Sequence, residues 1–496
     1  MSSMGSTFES YRLGGTEVEH DVFDPQGRVD RNALLRVLMA LADRWGVRNG
    51  SRLIDEAGGL DYADVSNKAE HGTPEFTNGR AGMLYEKAGS VRWAIVAHYL
   101  DVAMGRPPTT WILKTNTNYN GDSGGGNHLN FLMPGRSDTS LSDRSAAIEM
   151  LKTFVVTLEL LVGAGVVIPR SRAKTRIQGE NYGFAIGARG LHVVRYAGVA
   201  NTSTADGNKP VFMDRYEPLA DLDRFWRMMI SGLDSNILPS VIVFKLDVLF
   251  LMAEMAIRGA ITPIQLYEPV PLGSTETPGN VCRSMRKLSC DWKLHLSVAE
   301  GPAREMTARE IQLQYFGQAD KYVHSQPEPD PDQLALLDQW RRLLDGFDTD
   351  EDIPMDCFGL SDWVTKAARL KRREEKAGRP LTYDEAERIQ FDYHGYRFRA
   401  GQRCTPLRLA LRYGYPGIWR DIVRAGSTPP QDTRAWGRGQ AVKLRPTDLN
   451  ADGWVSMKVP GMGAIRMDDP RVPVTEALRR QLLIWTRQAL ERQNGG

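Results

Sequence analysis

The chain has 496 residues, 42% hydrophobic and 25% charged, enough to bury a large core and to hold one big domain with a smaller appendage. Its 63 basic and 61 acidic residues leave a net charge of +2, so charge gives no reason to expect nucleic acid or an anionic membrane as a partner. The start, M-S-S-M-G-S-T-F-E-S, lacks a basic segment followed by an apolar run, and Cys282, Cys290, Cys357 and Cys404 lack C-x-x-C spacing; a cytoplasmic chain with reduced thiols, no signal peptide and no structural zinc is expected.

The first predicted element is an acidic strand in which Gly14-Gly15-Thr16-Glu17-Val18-Glu19 puts Glu17 and Glu19 on one face. Residues 31–45 then place Leu34, Leu35, Leu38, Leu41 and Ala42 at helical spacing. After a turn comes a second acidic block, residues 64–75, D-V-S-N-K-A-E-H-G-T-P-E. Carboxylates at alternate strand positions have an ordinary reading, the solvated face of an antiparallel sheet. The other reading is a cation site, because carboxylates on one inward face repel one another unless a cation lies between them. Mg²⁺ takes oxygen ligands and leaves its remaining positions to water and nucleotide.

Further along, residues 86–104 read as a long helix and 109–114 as a strand entering a polar loop, 116–127. That loop can approach a ligand with its backbone or have no such duty. The apolar stretches 154–168 and 241–257 are interrupted by Glu159 and by Lys245, Asp247 and Glu254, so they are expected to be buried elements, not membrane spans. Residues 330–347 and 361–376 read as helices, and 406–413 as a shorter one stopped by Gly414 and Pro416. Composition shifts at Ser427-Thr428-Pro429-Pro430, and a last helix is predicted over 474–492.

The two acidic blocks carry a resemblance. The first resembles the G-x-E-x-E start of Pup ligase and of the Pup deamidase/depupylase, and the second their L-Y-x-D-x-x-x-H-P-E-Y-x-x-x-E segment, with Tyr62, Asp64, Glu70 and Glu75 in register and Lys68-Ala69 in place of His-Pro. In the same order, Gly126-Asn127-His128-Leu129-Asn130 resembles G-x-H-E-N, Arg215-Tyr216-Glu217-Pro218-Leu219-Ala220-Asp221 resembles R-D-E-P-H-A-D, and Leu233-Asp234-Ser235-Asn236 resembles G-D-S-N. Asp392-Tyr393-His394, Pro429-Pro430-Gln431-Asp432-Thr433-Arg434-Ala435 and Gly453-Trp454-Val455 follow suit. Each motif alone is weak; their collinear order across most of the chain is the signal.

This resemblance implies a glutamine-synthetase-like α+β fold, with an antiparallel sheet and packed helices over residues 1–425 and a small C-terminal domain, 426–496, contributing to the nucleotide site. It implies Mg²⁺ at Glu17, Tyr62 and Glu70, with Glu19 and Glu75 as further candidate ligands, and a catalytic aspartate at Asp64. It implies ATP contacts from Thr73, His128, Arg215, Arg227 and Trp454; arginine forks suit phosphate. The implied reaction is ATP-dependent ligation of a carboxylate to an amine, the carboxylate coming from a Pup-like small protein or from an amino acid or peptide. Glu17 to Asp64 spans 47 positions, a ligase-like spacing without room for the depupylase insertion. Amide hydrolysis and a non-catalytic nucleotide-binding role stand as alternatives, since Leu60 replaces an arginine of the family pattern, Leu129 a glutamate, and Leu219 and Met229 histidines.

Overall fold

The computed structural model of the chain describes residues 11–24, 31–63, 68–117, 125–135, 141–172, 174–198, 209–215, 221, 223–266, 281–298, 304–397, 403–444, 455–459, 463–472, 480, 484 and 487. In chain order the elements that position the site are β1 (Gly14–Phe23), α1 (Arg31–Trp45), β2 (Gly46–Asn49), β3 (Arg52–Asp55), β4 (Leu60–Ala63), β5 (Ala69–Gly72), α2 (Gly79–Ala103), β6 (Trp111–Leu113), β7 (Asn127–Pro134) and α3 (Leu141–Val162). There follow β8 (Val166–Pro169), β9 (Ile177–Gln178), β10 (Tyr182–Ala185), β11 (Val193–Gly198), β12 (Lys209–Arg215), β13 (Phe225–Ile230) and α4 (Pro239–Ile257).

The architecture is α+β. A central sheet runs in the order β11-β12-β13-β7-β1-β5-β4-β3-β2, with β6 and the short strand Gly395–Tyr396 attached at the far end of β1. Its described pairings are antiparallel except β11 with β12. Strands β8, β9 and β10 make a separate small sheet.

Residues directly opposite one another in antiparallel strands point to the same face, so the register sorts the side chains. One face carries the rows Tyr62–Glu70–Glu19, Leu60–Gly72–Glu17–His128, Asn130–Met229–Met213 and Leu132–Arg227. The other carries Asp61–His71–Val18–Asn127 and Thr16–Leu129–Ile230. Beneath this second face lies the main core, where Leu34, Leu38, Trp93, Ala97, Leu129, Phe131 and Phe250 belong to one buried cluster.

Helix α1 forms over the residues expected of it. Helix α2 starts earlier than its pattern indicates, at Gly79, where the Asn78 side chain accepts the Ala81 N–H. Glycines hide this first part, because glycine is a poor helix former. The packing requires them: a Cβ at Gly79 would run into the Val243 carbonyl, and one at Gly82 would come within 2.6 Å of Leu246 and 2.7 Å of the Phe76 ring. The apolar stretch 154–168 is the end of α3 followed by β8, and 241–257 lies in α4, which buries residues all round. Among the described residues no helix is long and apolar enough to cross a membrane. Most of the helix expected over 474–492 lies outside the described residues.

A second buried cluster joins Ile54 and Leu60 to Trp436, Ala441, Val442, Met457 and Met467. It sets the helix Ala435–Lys443 and the hairpin Ser456–Val459/Gly463–Arg466 against β3 and β4.

Candidate active site

The strand pattern that raised the acidic blocks to notice also aligns them. Glu17, Glu70 and His128 offer ligand atoms that lie within 4.8 Å of one another. His128 Nδ1 is 3.2 Å from Glu17 Oε2, and as a carboxylate only accepts, Nδ1 carries the proton and the ring orients Glu17. On its other side Glu17 Oε1 receives Arg227 Nη1 at 3.3 Å and lies 3.5 Å from the Asn130 amide. Tyr62 bonds to Glu70, and burial, with the neighbouring Glu70 and Glu17 charges, pushes its hydroxyl well above the ordinary tyrosine range. The Tyr62 ring packs under the Arg52 guanidinium, 5.5 Å away.

These donors fit a hard divalent cation. Glu17 and Glu70 supply carboxylate oxygens and Tyr62 a phenol oxygen, the donor type that Mg²⁺ prefers. His128 orients Glu17 through Nδ1, which leaves Nε2 as the ring nitrogen able to accept or to ligate.

Glu19 and Glu75, also expected as ligands, are not brought into this cluster. Glu19 Oε2 accepts from Lys68 Nζ at 3.1 Å and from the Gly126 N–H at 2.9 Å. Although burial opposes it, His128, Lys68 and Arg189 hold the Glu19 carboxyl down to about 2. Glu75 is claimed more completely: Arg434 Nε reaches Oε1 at 2.7 Å and Arg438 Nη2 reaches Oε2 at 2.5 Å. Those arginines overcome burial and hold Glu75 at about 2. The physical reason is the same at both positions: a carboxylate that leaves water needs a counter-charge, and here the protein's own cations arrive first.

The other expected residues divide. Arg227 lies on the cluster's face; Arg215 stands opposite it in register, its side chain outside the described residues. Thr73 is 3% exposed, and its hydroxyl accepts the Thr16 N–H at 2.9 Å, so it ties the turn after β5 to β1. Asp64, Trp454 and Leu219 lie outside the described residues. Of the departures from the family pattern, Leu129 points into the main core, away from the acids, whereas Leu60 and Met229 share the face of Glu17 and Arg227.

Arg189 was not foreseen. Its guanidinium is buried beside Glu19, with Nε donating to the Ser231 carbonyl at 2.8 Å and Nη1 to Gly125 at 3.3 Å, while its main-chain N–H meets Asp234 Oδ1 at 2.8 Å. Asp234 also accepts the Ala164 and Ala188 N–H groups, so the aspartate of the Leu233-Asp234-Ser235-Asn236 stretch fixes backbone.

A sequence model of the Pup-ligase protein family matches residues 12–458. Curated relatives named Pup–protein ligase include one from Acidimicrobium ferrooxidans, 28% identical over 95% of this chain and 98% of the relative. Another, from Mycobacterium avium, is 26% identical over 95% of this chain and 98% of its own length. Among solved structures, the complex between the prokaryotic ubiquitin-like protein Pup and its ligase PafA matches with a TM-score of 0.77 at 22% identity, covering 97% of this chain and 94% of that one. The Pup ligase PafA in complex with ADP matches at 0.70 and 24% identity, covering 93% and 95%. The fold is therefore that of PafA, in keeping with the glutamine-synthetase-like α+β architecture expected above. With the family model spanning residues 12–458, the chain belongs to the Pup-ligase protein family.

Proposed function

We propose that the chain is an ATP-dependent carboxylate-amine ligase that joins a carboxylate of the C-terminal glutamate of a Pup-like small protein to an amine of an acceptor, in an amide or isopeptide bond. The observation that carries this reading is the convergence of Glu17, Glu70, Tyr62, His128 and Arg227 on one face of the sheet, from segments up to 210 residues apart. Glu17, Glu70 and Tyr62 would hold Mg²⁺, which when bound offsets charge on the phosphoryl group of ATP. Arg227, with Arg215 opposite it in the strand register, would meet the phosphates.

In the reaction, an oxygen of the donor carboxylate attacks the γ-phosphorus and ADP leaves. The acceptor nitrogen then attacks the acyl carbon and inorganic phosphate departs, a far better leaving group than oxide. Asp64 takes the proton that the attacking ammonium must lose. In this reading residues 426–496 form the small C-terminal domain and bring Trp454 to the nucleotide.

The test compares wild type with Asp64→Asn. Both should bind Mg·ATP and gain thermal stability from it, by about 2.7 kcal/mol at a hundredfold excess over Kd. Only wild type should make product, because the amide keeps the shape and removes the base. Ligation undiminished in Asp64→Asn, or amide hydrolysis without ATP and no ligation, would defeat the proposal.

A further inference from the structure

Lys68 stands where the family motif has histidine, and the structure gives it a specific partner. Its ammonium is 3.1 Å from Glu19 Oε2, and the two side chains are only 13% and 10% exposed. The same oxygen takes the Gly126 N–H at 2.9 Å, while Glu19 Oε1 faces His128 Nε2 at 4.0 Å. Arg189 backs this arrangement: a Cβ on Gly126 would lie 2.7 Å from Arg189 Nη1 and 3.1 Å from His128 Nε2. Glu19 is directly opposite Glu70 in the strand register, beside the proposed Mg²⁺ ligands.

A row of carboxylates under a nucleotide's phosphates is the setting in which two divalent cations about 3.5–4 Å apart clamp a transferring phosphoryl group. In this chain one end of that row already carries a fixed positive charge. An ammonium is a compact point charge with three donors, able to meet a carboxylate and a phosphate oxygen together, and it repels a divalent ion that would bind the same oxygen. We propose that the Lys68 ammonium takes the place of a second divalent cation at Glu19, so that this active site holds one divalent ion, at Glu17 and Glu70. The proposal rests on the reading of the site as one for Mg·ATP.

The experiment counts Mn²⁺ bound to the full-length chain in the presence of a non-hydrolysable ATP analogue, by electron paramagnetic resonance of the free ion. Wild type should bind one ion per chain. Lys68→Met should bind two, the second lost again in the double variant Lys68→Met/Glu19→Gln, and Lys68→Arg should stay at one. Thermal unfolding with and without the analogue establishes that each variant is folded; should Lys68→Met fail to fold, Lys68→His, which carries the family's residue, replaces it and should also bind two. Two ions in wild type, or one ion in every folded variant lacking the cation, would overturn the role of Lys68. No ion in wild type would instead overturn the Mg·ATP reading on which it rests.

Discussion

On one face of the central sheet Glu17, Glu70 and His128 bring ligand atoms within 4.8 Å of one another, and on the other face Asp55, Asp61 and His71 do the same. Tyr62 and Asp61, adjacent in β4, belong to these opposite faces. The far cluster is closed: Arg92 reaches up from α2 to pair with Asp55 at 2.5 Å and with Asp61, and donates to the Gly426 carbonyl at 3.0 Å. His71 Nδ1 bonds to Asp61 at 2.9 Å, and the Gly59 N–H to Asp55 at 2.7 Å. In the near cluster Glu17 is 20% exposed and meets its arginine only at 3.3 Å. Two acids and a histidine at ligand spacing therefore do not define a cation site; what separates the two faces is whether a buried guanidinium already supplies the charge.

Arg92→Leu sharpens this comparison most, because it leaves Asp55 and Asp61 buried without their counter-ion. Urea denaturation should register a loss of about 3–5 kcal/mol. A loss below about 1 kcal/mol would mean that the far cluster is not held by Arg92.

Glu75 resembles the far face in being closed by arginines, and its titration should show it. Its folded value of about 2 lies below its ordinary 4.5, so its contribution is complete above that ordinary value and is lost as pH falls toward 2. The contribution at neutral pH is about 3 kcal/mol. Stability measured from pH 6 down to pH 2 should fall less steeply in Glu75→Gln than in wild type; parallel curves would show that the arginines do not hold this carboxylate.

Glu17→Gln tests the open face. Ligation should drop at least about 100-fold, equivalent to about 2.7 kcal/mol in the barrier. Stability without nucleotide should move by less than about 1 kcal/mol, because this side chain is not sealed in the core. A large stability loss would make the near cluster structural, like the far one. The smallest effect is expected of Asn130→Ala, whose amide is 3.5 Å from Glu17: under about 1 kcal/mol in nucleotide affinity by calorimetry.

The legible parts of the molecule were those written in local periodicity. Alternation put Glu17 and Glu19 on one face of β1, and the 3.6-residue pattern marked α1. The resemblance singled out Glu70, Tyr62, His128 and Arg227, and the strand register puts them on one face. What was not legible came from long-range pairing: no local pattern announces that Arg434 and Arg438 close over Glu75, that Arg92 fills the far cluster, or that Lys68 turns back to Glu19. Likewise Leu129, counted as a lost acid, faces the core, a fact set by strand register.

The closure of Glu75 has a consequence for how the protein is made. Its two arginines lie 359 and 363 residues later in the chain. A ribosome adding 5–20 residues per second needs roughly 20–70 s to travel that distance. Throughout that interval Glu75 has no counter-ion to receive it, and Leu60 lacks the Trp436 and Met457 side chains that cover it. The closure of Glu75 and the cover over Leu60 thus stay incomplete on the nascent chain until residues 434–457 have been made.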